Sequence, residues 1–196
     1  MAYKKRLPVI IAVGDIRGFS IWEQQLINPE TEFTPFMNSF DKMIDEFELH
    51  TGYFTKKLGD GILIILELEN NENRRKATYF LGQTWNFLKN VQKMMDECES
   101  CPKKIRMRST FGDAWKRESS TGIDYVGRHI NRAFKLLRVN PEIPYICHES
   151  VRSIVMSSKN PYHNFKFTRF VTERRVPDGL TKEDMVRLYR VDIKKK

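Results

Sequence analysis

The chain has 196 residues, of which 40% are hydrophobic and 30% charged, as is ordinary for a soluble globular protein with a buried core. Its formal net charge is +9, but the basic residues are spread along the chain without interleaved aromatic residues, which argues against a nucleic acid as the main partner. The longest apolar runs, 9–13 and 62–66, are too short to cross a membrane, and no secretory signal precedes them. We therefore expect a single domain, residues 1–196, in the cytoplasm and not at a membrane.

Hydrophobic periodicity and turn residues predict alternating strands and helices. The strands are expected at 7–15, 52–58, 62–68, 105–115, 145–147, 165–171 and 186–191. A short helix is expected to be capped by Ser20, and a second to begin at Thr34 and Pro35 and end at His50. A third is expected from the polar break at 70–73 to about Cys98. Two more are expected at 126–139 and 149–156. This order favours an α+β fold in which helices pack on a mainly antiparallel sheet.

The three cysteines argue against a disulfide framework. Cys98 and Cys101 have the spacing of a metal knuckle, and Cys147 with His148 could complete four ligands. The interpretation that we favour is that Cys98 and Cys101 are ordinary thiols at a helix end.

Two aspartates carry the strongest chemical signal. Asp15 follows the apolar run of the first strand, and Asp60 lies in the turn Gly59-Asp60-Gly61 of a hairpin. Each is a weak signal alone, because aspartate and glycine are common in turns. Together they place two carboxylates at strand ends, which suits Mg²⁺ or Mn²⁺ sharing oxygen ligands with substrate phosphates. The pair indicates phosphoryl-transfer chemistry.

Three motifs, in order, resemble those of the class III nucleotidyl cyclases, the adenylate and guanylate cyclase homology domain. Residues 15–20 read Asp-Ile-Arg-Gly-Phe-Ser, where the family has Asp-Ile-x-Gly-Phe-Ser/Thr. Residues 56–60 read Lys-Lys-Leu-Gly-Asp, for the family's Lys-x-x-Gly-Asp. Residues 124–136 follow Asp-x-x-Gly-x-x-Val-Asn-x-Ala-x-Arg-Leu, with Ile130 and Lys135 in place of the valine and the arginine. The resemblance covers about residues 7–140 and implies a ferredoxin-like class III cyclase sandwich.

The resemblance also implies an activity, its cofactors and a homodimer. A nucleoside triphosphate would be cyclised with two divalent cations, Mn²⁺ or Mg²⁺, one serving the ribose 3′-hydroxyl and one the triphosphate. Active sites would lie at the dimer interface, one subunit giving the metal aspartates and the other the base pocket. The residues assigned to the metal ions are Asp15, Ile16 and Asp60. Those assigned to the phosphates are Gly18, Phe19 and Ser20 of the first turn and Arg106, with Arg108 as a rival of Arg106.

The helix expected at 126–139 carries a polar stripe formed by Arg128, Asn131, Lys135 and Arg138. The stripe could simply be a solvated face. In the family it faces the nucleotide, where Asn131 would orient the ribose and Lys135 would stabilise charge on the α-phosphate. Lys135 supplies a positive charge but cannot make the two parallel hydrogen bonds of the arginine that the family has there, so its role in catalysis stays open. Arg132 is a poor substitute because one residue turns the side chain about 100° around the helix.

The family's base-reading positions fall on Lys56 and Asp124, an adenine-type pair. The bare single-domain architecture, however, looks like that of the stand-alone pyrimidine cyclases of Pycsar antiphage defence, which make cyclic UMP or cyclic CMP to trigger an effector. Tyr53 could narrow the pocket to a single-ring base, or be an ordinary strand residue. We expect a uridylate or cytidylate cyclase that signals to a cyclic-nucleotide-sensing effector. The alternatives are an adenylate cyclase and, because of Lys135, a non-catalytic nucleotide-binding homodimer.

Overall fold

The computed structural model describes residues 2–68, 73–120, 122–156, 165–169, 176, 178 and 180–193. Eight strands and six helices lie within these ranges. The strands are β1 (Ala2–Arg17), β2 (Phe54–Lys57), β3 (Gly61–Glu67), β4 (Lys104–Ser119), β5 (Gly122–Val126), β6 (Tyr145–His148), β7 (Phe165–Arg169) and β8 (Leu188–Ile193). The helices are α1 (Phe19–Gln25), α2 (Pro29–Thr51), α3 (Asn73–Asp96), α4 (Arg128–Leu136), α5 (Glu149–Met156) and α6 (Lys182–Val186).

The strands form one mixed sheet in the order β2-β3-β1-β4-β6-β8-β7, with β5 paired to β4. All neighbouring pairs are antiparallel except β4 and β6. β1 lies inside the sheet because β3 pairs with one of its edges and β4 with the other. The α+β fold with a mainly antiparallel sheet and flanking helices is therefore confirmed.

Helices cover both faces of the sheet, where the described residues form two large cores, and a smaller third cluster includes Leu136, Ile146 and Leu188. Side chains alternate along a strand, so Ile10 and Ala12 of β1 pack in a first core with α1, α2, α3 and α5. Val9, Ile11 and Val13 point the other way and pack in a second core with α4 and β5. The burial of β1 on both faces explains why its sequence is a continuous apolar run.

The ends of several elements differ from the prediction. α2 begins at Pro29, because the side chain of Asn28 caps it by accepting a hydrogen bond from the Glu30 amide at 3.2 Å, and Pro35 lies inside the helix. α1 begins after Gly18, so Ser20 is not its cap.

In the second half of the chain, α4 is shorter than predicted and α6 was not predicted. The predicted polar break at 70–73 lies outside the described residues except for its last residue, and so do the last two residues of the strand predicted at 165–171. Within the described part of the chain, no helix is both long and apolar enough to cross a membrane.

Cys98 and Cys101 form a disulfide within the segment that connects α3 to β4. This corrects their interpretation as ordinary thiols, and it also removes the thiolates that a metal knuckle would need. Cys147 is a buried free thiol, and the ring Nδ1 of His148 is hydrogen-bonded to the Ser150 hydroxyl at 2.9 Å. Among the described residues, no group of three or more His, Cys, Asp or Glu side chains is arranged to hold a metal ion.

Candidate active site

Asp15 and Asp60 meet at one end of the β1–β3 pair. Asp15 lies opposite Gly61 in the register of the two strands, and the Ile16 amide donates to the Asp60 carbonyl at 3.1 Å. Gly61 permits this close approach, since a Cβ there would lie 2.9 Å from the Gly14 carbonyl oxygen. Burial and, next in size, the negative charge of Asp15 raise the pKa of Asp60 above its ordinary value. Two half-buried carboxylates that repel each other are suited to a shared cation.

The turn after β1 brings its backbone next to Asp15. Gly18 has φ of 79°, a left-handed conformation that glycine adopts without strain, and it leads directly into α1. The side chains of Ile16 and Phe19 are buried in the first core, so only their backbone groups could meet a ligand. Ser20 is exposed.

Arg106 lies opposite Asp15 in the β1–β4 register. Its Nε and Nη2 donate to Asp15 Oδ2 at 2.8 and 2.5 Å. Both side chains are mostly buried, with 20% and 24% of their surface exposed. A guanidinium therefore lies on the carboxylate that the sequence assigns to a metal ion, within reach of anything bound there.

Arg108, the rival for the phosphate role, has a structural function instead. It lies two residues further along β4, and it is fully buried. The five N–H groups of its guanidinium make six hydrogen-bond contacts of 2.8 to 3.3 Å, one N–H of Nη1 being shared by two acceptors. The acceptors are the backbone carbonyls of Met107, Leu136, Val139, Asn140, Ile143 and Pro144. It fixes the C-terminal end of α4 and the segment after it, so the alternative assignment of Arg108 to the triphosphate is wrong.

Lys56 and Asp124 come together although 68 residues separate them. Lys56 Nζ lies 3.1 Å from Asp124 Oδ1. The contact forms because the β4–β5 hairpin folds over the sheet, with the Tyr125 ring 4.8 Å from that of Phe54 and its hydroxyl donating to Glu67. The two residues that the resemblance assigns to the base thus lie beside each other in one chain, on the α4 side of the sheet.

Arg117 is a third member of this group that the sequence did not reveal. It lies opposite Asp124 in the β4–β5 register, and its Nη2 is 3.2 Å from Asp124 Oδ2. The pairing of 115–119 with 122–126 was the available signal, because it places Arg117 across from Asp124.

α4 presents the predicted polar stripe. Ile130 is buried in the second core, while Asn131 is exposed and Lys135 is half-buried. Arg132 points elsewhere and pairs with Asp184 of α6 at 3.1 Å. The geometry agrees with the expectation that Arg132 does not replace the family arginine.

Tyr53 does not lie near the base-reading residues. Its side chain is buried in the first core, where its ring packs on Phe47 at 6.0 Å and on Phe80 at 5.2 Å. Lys56 follows Tyr53 by three positions, and successive side chains of a strand point to opposite faces of the sheet. The two side chains therefore point to opposite faces. The prediction that Tyr53 narrows the base pocket is therefore wrong.

The comparisons with known proteins concern the fold. The chain matches no protein-family model and no curated protein. It does resemble solved structures: the adenylyl cyclase CyaB from P. aeruginosa has a TM-score of 0.70 at 16% identity, over 98% of this chain and 97% of that one. The guanylyl cyclase Cya2 has a TM-score of 0.67 at 19% identity, over 97% and 94%.

The chain has the fold of the class III cyclase domains. A third example, the guanylate cyclase domain of RhGC from Catenaria anguillulae in complex with GTP, gives a TM-score of 0.62 at 13% identity over 98% of this chain and 100% of that one. At these identities the likeness is one of fold, and it spans the whole cyclase domain. What the cyclase fold does in this chain must follow from its own residues.

Proposed function

We propose that this protein is a nucleotidyl cyclase that converts a pyrimidine nucleoside triphosphate, UTP or CTP, into the 3′,5′-cyclic monophosphate and pyrophosphate. The observation that supports the proposal best is the meeting of Asp15 and Asp60 within a cyclase fold. The ribose O3′ would form a bond to the α-phosphorus, the bond to the pyrophosphate oxygen would break, and the hydroxyl proton would be lost.

Asp15, Asp60 and a main-chain oxygen of Ile16 are the groups that would hold the cations. The raised pKa of Asp60 supports the fit, because a bound cation would offset its causes, which are burial first and the negative charge of Asp15 second. Two divalent cations, when bound, would lower the pKa of the attacking hydroxyl and neutralise charge on the phosphates. The described side chains provide a carboxylate pair only, so substrate phosphates would complete the coordination.

Other residues would position the substrate. Arg106 contacts Asp15 in this structure, and it would transfer to the triphosphate when cations take over the carboxylate. The backbone of Gly18, Phe19 and Ser20 follows the end of β1 at the start of α1 and would contact the phosphates.

The polar stripe of α4 would act on the sugar and the α-phosphate. Asn131 would orient the ribose, and Lys135 would stabilise negative charge as the bond to pyrophosphate breaks.

The complete site would need a homodimer. In the described residues, the recorded contacts of Asp15 and Asp60 and those of Lys56 and Asp124 have no residue in common. Asn131 lies exposed on α4. Each chain thus carries a metal half and a base half, which a second copy would bring together as the resemblance implies.

We assign the biological role from the same resemblance: the cyclic nucleotide would activate an effector in antiphage defence. Adenylate cyclase activity is the second candidate, and the Lys56–Asp124 pair favours it, since a lysine can donate to adenine N1 while a carboxylate accepts from the N6 amine.

The proposal is tested by incubating the purified protein with each of the four NTPs and Mn²⁺, and identifying the products by mass spectrometry. A cyclic monophosphate and pyrophosphate are expected. Asp15→Ala and Asp60→Ala should each abolish turnover, whereas the control Asp192→Ala, which removes a carboxylate paired with Arg190 far from the site, should not. Full activity in either site variant would refute the metal assignment, and NTP binding without product would establish the non-catalytic alternative.

The dimer is tested by complementation. Asp15→Ala damages the metal half and Asn131→Ala the base half, so each variant should be inactive alone. After subunit exchange in an equimolar mixture, about half of the dimers would be mixed and one of their two sites would be intact, restoring about a quarter of wild-type activity. A mixture that stays inactive despite proven exchange would argue for a site within one chain.

A further inference from the structure

Glu67, the last residue of β3, contacts both strands of the β4–β5 hairpin. It lies on the same face of the sheet as Leu63 and Ile65, which pack in the second core, because side chains two positions apart on a strand share a face. Its Oε1 accepts hydrogen bonds from Lys116 Nζ at 2.9 Å and from the Tyr125 hydroxyl. The side chains of Lys116 and Glu67 are only 24% and 25% exposed, so the contact between them is largely shielded from water. One carboxylate oxygen therefore joins the end of β3 to the hairpin.

The part of the hairpin that Glu67 contacts lies next to Asp124. Lys116 and Tyr125 are opposite each other in the β4–β5 register, and the adjacent pair is Arg117 with Asp124. Lys116 Nζ also lies 6.0 Å from the centre of the Tyr125 ring, within the range of a cation–π interaction. Glu67 therefore holds the residue pair immediately beside that of Asp124.

Tyr125 transmits this contact to Asp124 in two ways. Its ring lies 4.8 Å from that of Phe54, while Asp124 Oδ1 lies 3.1 Å from Lys56 Nζ. Phe54 and Lys56 are two positions apart on β2, so the hairpin rests on one face of that strand. The backbone amide of Tyr125 also donates to Asp124 Oδ1 at 2.9 Å. A shift of Tyr125 would therefore move the Asp124 carboxylate away from Lys56.

The ionisation states favour these contacts at neutral pH. Burial by itself would raise the pKa of Glu67, but the hydrogen bonds from Lys116 and Tyr125 outweigh it and lower the pKa, so the carboxylate is ionised. Burial and, next, the hydrogen bond to Glu67 raise the pKa of the Tyr125 hydroxyl, which therefore keeps its proton and donates. A tyrosine as deeply buried as Tyr125 would lose about 1 to 3 kcal/mol if its hydroxyl had no acceptor.

We infer that Glu67 is a positioning residue for the Asp124 end of the site, and that it acts through Tyr125 and Lys116 by holding the β4–β5 hairpin on β2. The inference rests on the proposed function for the binding of a nucleotide at Asp124, whereas the contacts of Glu67 do not depend on it. Glu67 itself would touch no substrate. Without it the hairpin would be free to shift, and Asp124 would lose its alignment with Lys56.

The kinetic test compares KM and kcat of the wild type, Glu67→Ala and Glu67→Gln with the nucleotide that the protein cyclises. Glu67→Ala should raise KM by about tenfold and leave kcat within about twofold, because a displaced Asp124 would lose a contact made in the ground state and the transition state alike. Glu67→Gln keeps a carbonyl oxygen that can accept from Tyr125 but loses the charge that holds Lys116. It should recover part of the rise in KM.

Glu149 offers a closely matched control. It is also a partly buried carboxylate, 29% exposed, that accepts from a cation and from a tyrosine hydroxyl, those of Arg152 and Tyr189. The Arg152 guanidinium lies over the Tyr189 ring at 4.7 Å, as Lys116 lies near that of Tyr125. Glu149 belongs to α5, outside the hairpin. Glu149→Ala should therefore leave KM and kcat unchanged.

The pKa of Asp124, followed by NMR titration of its carboxyl carbon, gives a readout that does not depend on activity. Burial would raise this pKa, but the hydrogen bonds from Lys56 and the Tyr125 amide outweigh it and hold the pKa below its ordinary value. Loss of the negative charge of Glu67 would by itself lower the pKa of Asp124 further, so a rise in Glu67→Ala would have to come from lost contacts of Asp124. We expect that rise in Glu67→Ala and none in Glu149→Ala.

Each outcome decides the inference. A pKa of Asp124 that does not rise in Glu67→Ala would overturn it even if the variant were less stable, since Glu67 would then support the fold alone. An unchanged KM in an active enzyme would overturn it as well. If Glu67→Ala does not fold, Tyr125→Phe, which removes the hydroxyl and keeps the ring on Phe54, is measured in the same way. If the wild type cyclises no nucleotide, the cyclase proposal fails, and the pKa of Asp124 still decides whether Glu67 positions it.

Discussion

Arg106 and Arg108 lie two residues apart on the same face of β4, yet their contacts predict opposite consequences for activity and stability. We expect Arg108→Met to destabilise the protein severely. We expect Arg106→Met to remove activity while leaving the fold intact. The pair is well matched, because the substitution, the strand and the face of the sheet are the same.

The cost of Arg108→Met follows from its six hydrogen-bond contacts with carbonyls in a site with no solvent exposure. A hydrogen bond from a charged donor contributes about 1.5 to 3 kcal/mol. Even if water or rearrangement replaces half of the bonds, losing three at the lower value costs about 4 to 5 kcal/mol. A domain has a free energy of unfolding of about 5 to 15 kcal/mol, so the variant would be marginal or unfolded at room temperature.

Arg106→Met should cost less stability. Among the described residues Arg106 donates to one partner, Asp15, and its removal leaves one mostly buried carboxylate without that partner, which costs about 1 to 3 kcal/mol. Its removal should instead lower kcat/KM by about 100-fold or more, because a charged contact with the triphosphate would be lost.

Urea unfolding followed by tryptophan fluorescence, together with the NTP assay, tests both expectations. Arg108→Met should shift the midpoint strongly at an unchanged slope, or show no folded baseline. Arg108→Lys keeps the positive charge but loses the planar set of guanidinium donors, so its urea midpoint should lie between those of the wild type and Arg108→Met. The reasoning is refuted if Arg108→Met unfolds within about 1 kcal/mol of the wild type, or if Arg106→Met is the less stable variant.

Three further predictions concern the metal carboxylate, the disulfide and a crowded glycine. Because the pKa of Asp60 is raised in the folded state, the contribution of this group to the free energy of unfolding falls as the pH rises from its ordinary pKa to its raised one. Without metal, Asp60→Asn should therefore be more stable than the wild type at about pH 7 and equally stable near pH 3. The same variant should lose more than about 100-fold in activity. Cys98 and Cys101 are three residues apart, so their disulfide closes a short loop, and replacing both with serine should lower the free energy of unfolding by about 2 kcal/mol. Dithiothreitol should lower the urea midpoint of the wild type by the same amount as this double substitution does. Gly112→Ala would place a Cβ 2.3 Å from the ring of His129 and should cost about 1 to 3 kcal/mol in thermal unfolding, and His129→Ala in the same chain should restore most of it.

The closeness of Asp15 and Asp60 could be predicted from the sequence because it depends on short-range features. Asp15 ends an apolar run and Asp60 turns a hairpin, and strand pairing then places Asp15 opposite Gly61. The role of each neighbouring arginine could not be predicted. Arg106 and Arg108 share a face, and only the segment after α4 buries Arg108.

The base end depends on tertiary contacts that no local pattern shows. Lys56 and Asp124 meet because Tyr125 bonds to Glu67 and draws the β4–β5 hairpin over the sheet. The prediction for Tyr53 was wrong because a residue an odd number of positions from Lys56 along a strand points to the opposite face of the sheet. Such errors are avoidable once the strand is assigned.

The last third of the chain, about which the sequence says least, contributes to the rigidity of α4. Asp184 of α6 pairs with Arg132, and the Thr110 hydroxyl of β4 donates to the His129 carbonyl at 2.9 Å near the start of the helix. Arg108 holds the carbonyls at its other end. A helix of nine residues has little stability of its own, so these three attachments, and not propensity, fix its orientation. The residues of the polar stripe within α4 therefore have a defined position in the folded chain, which is what their proposed action on a ribose and an α-phosphate would require.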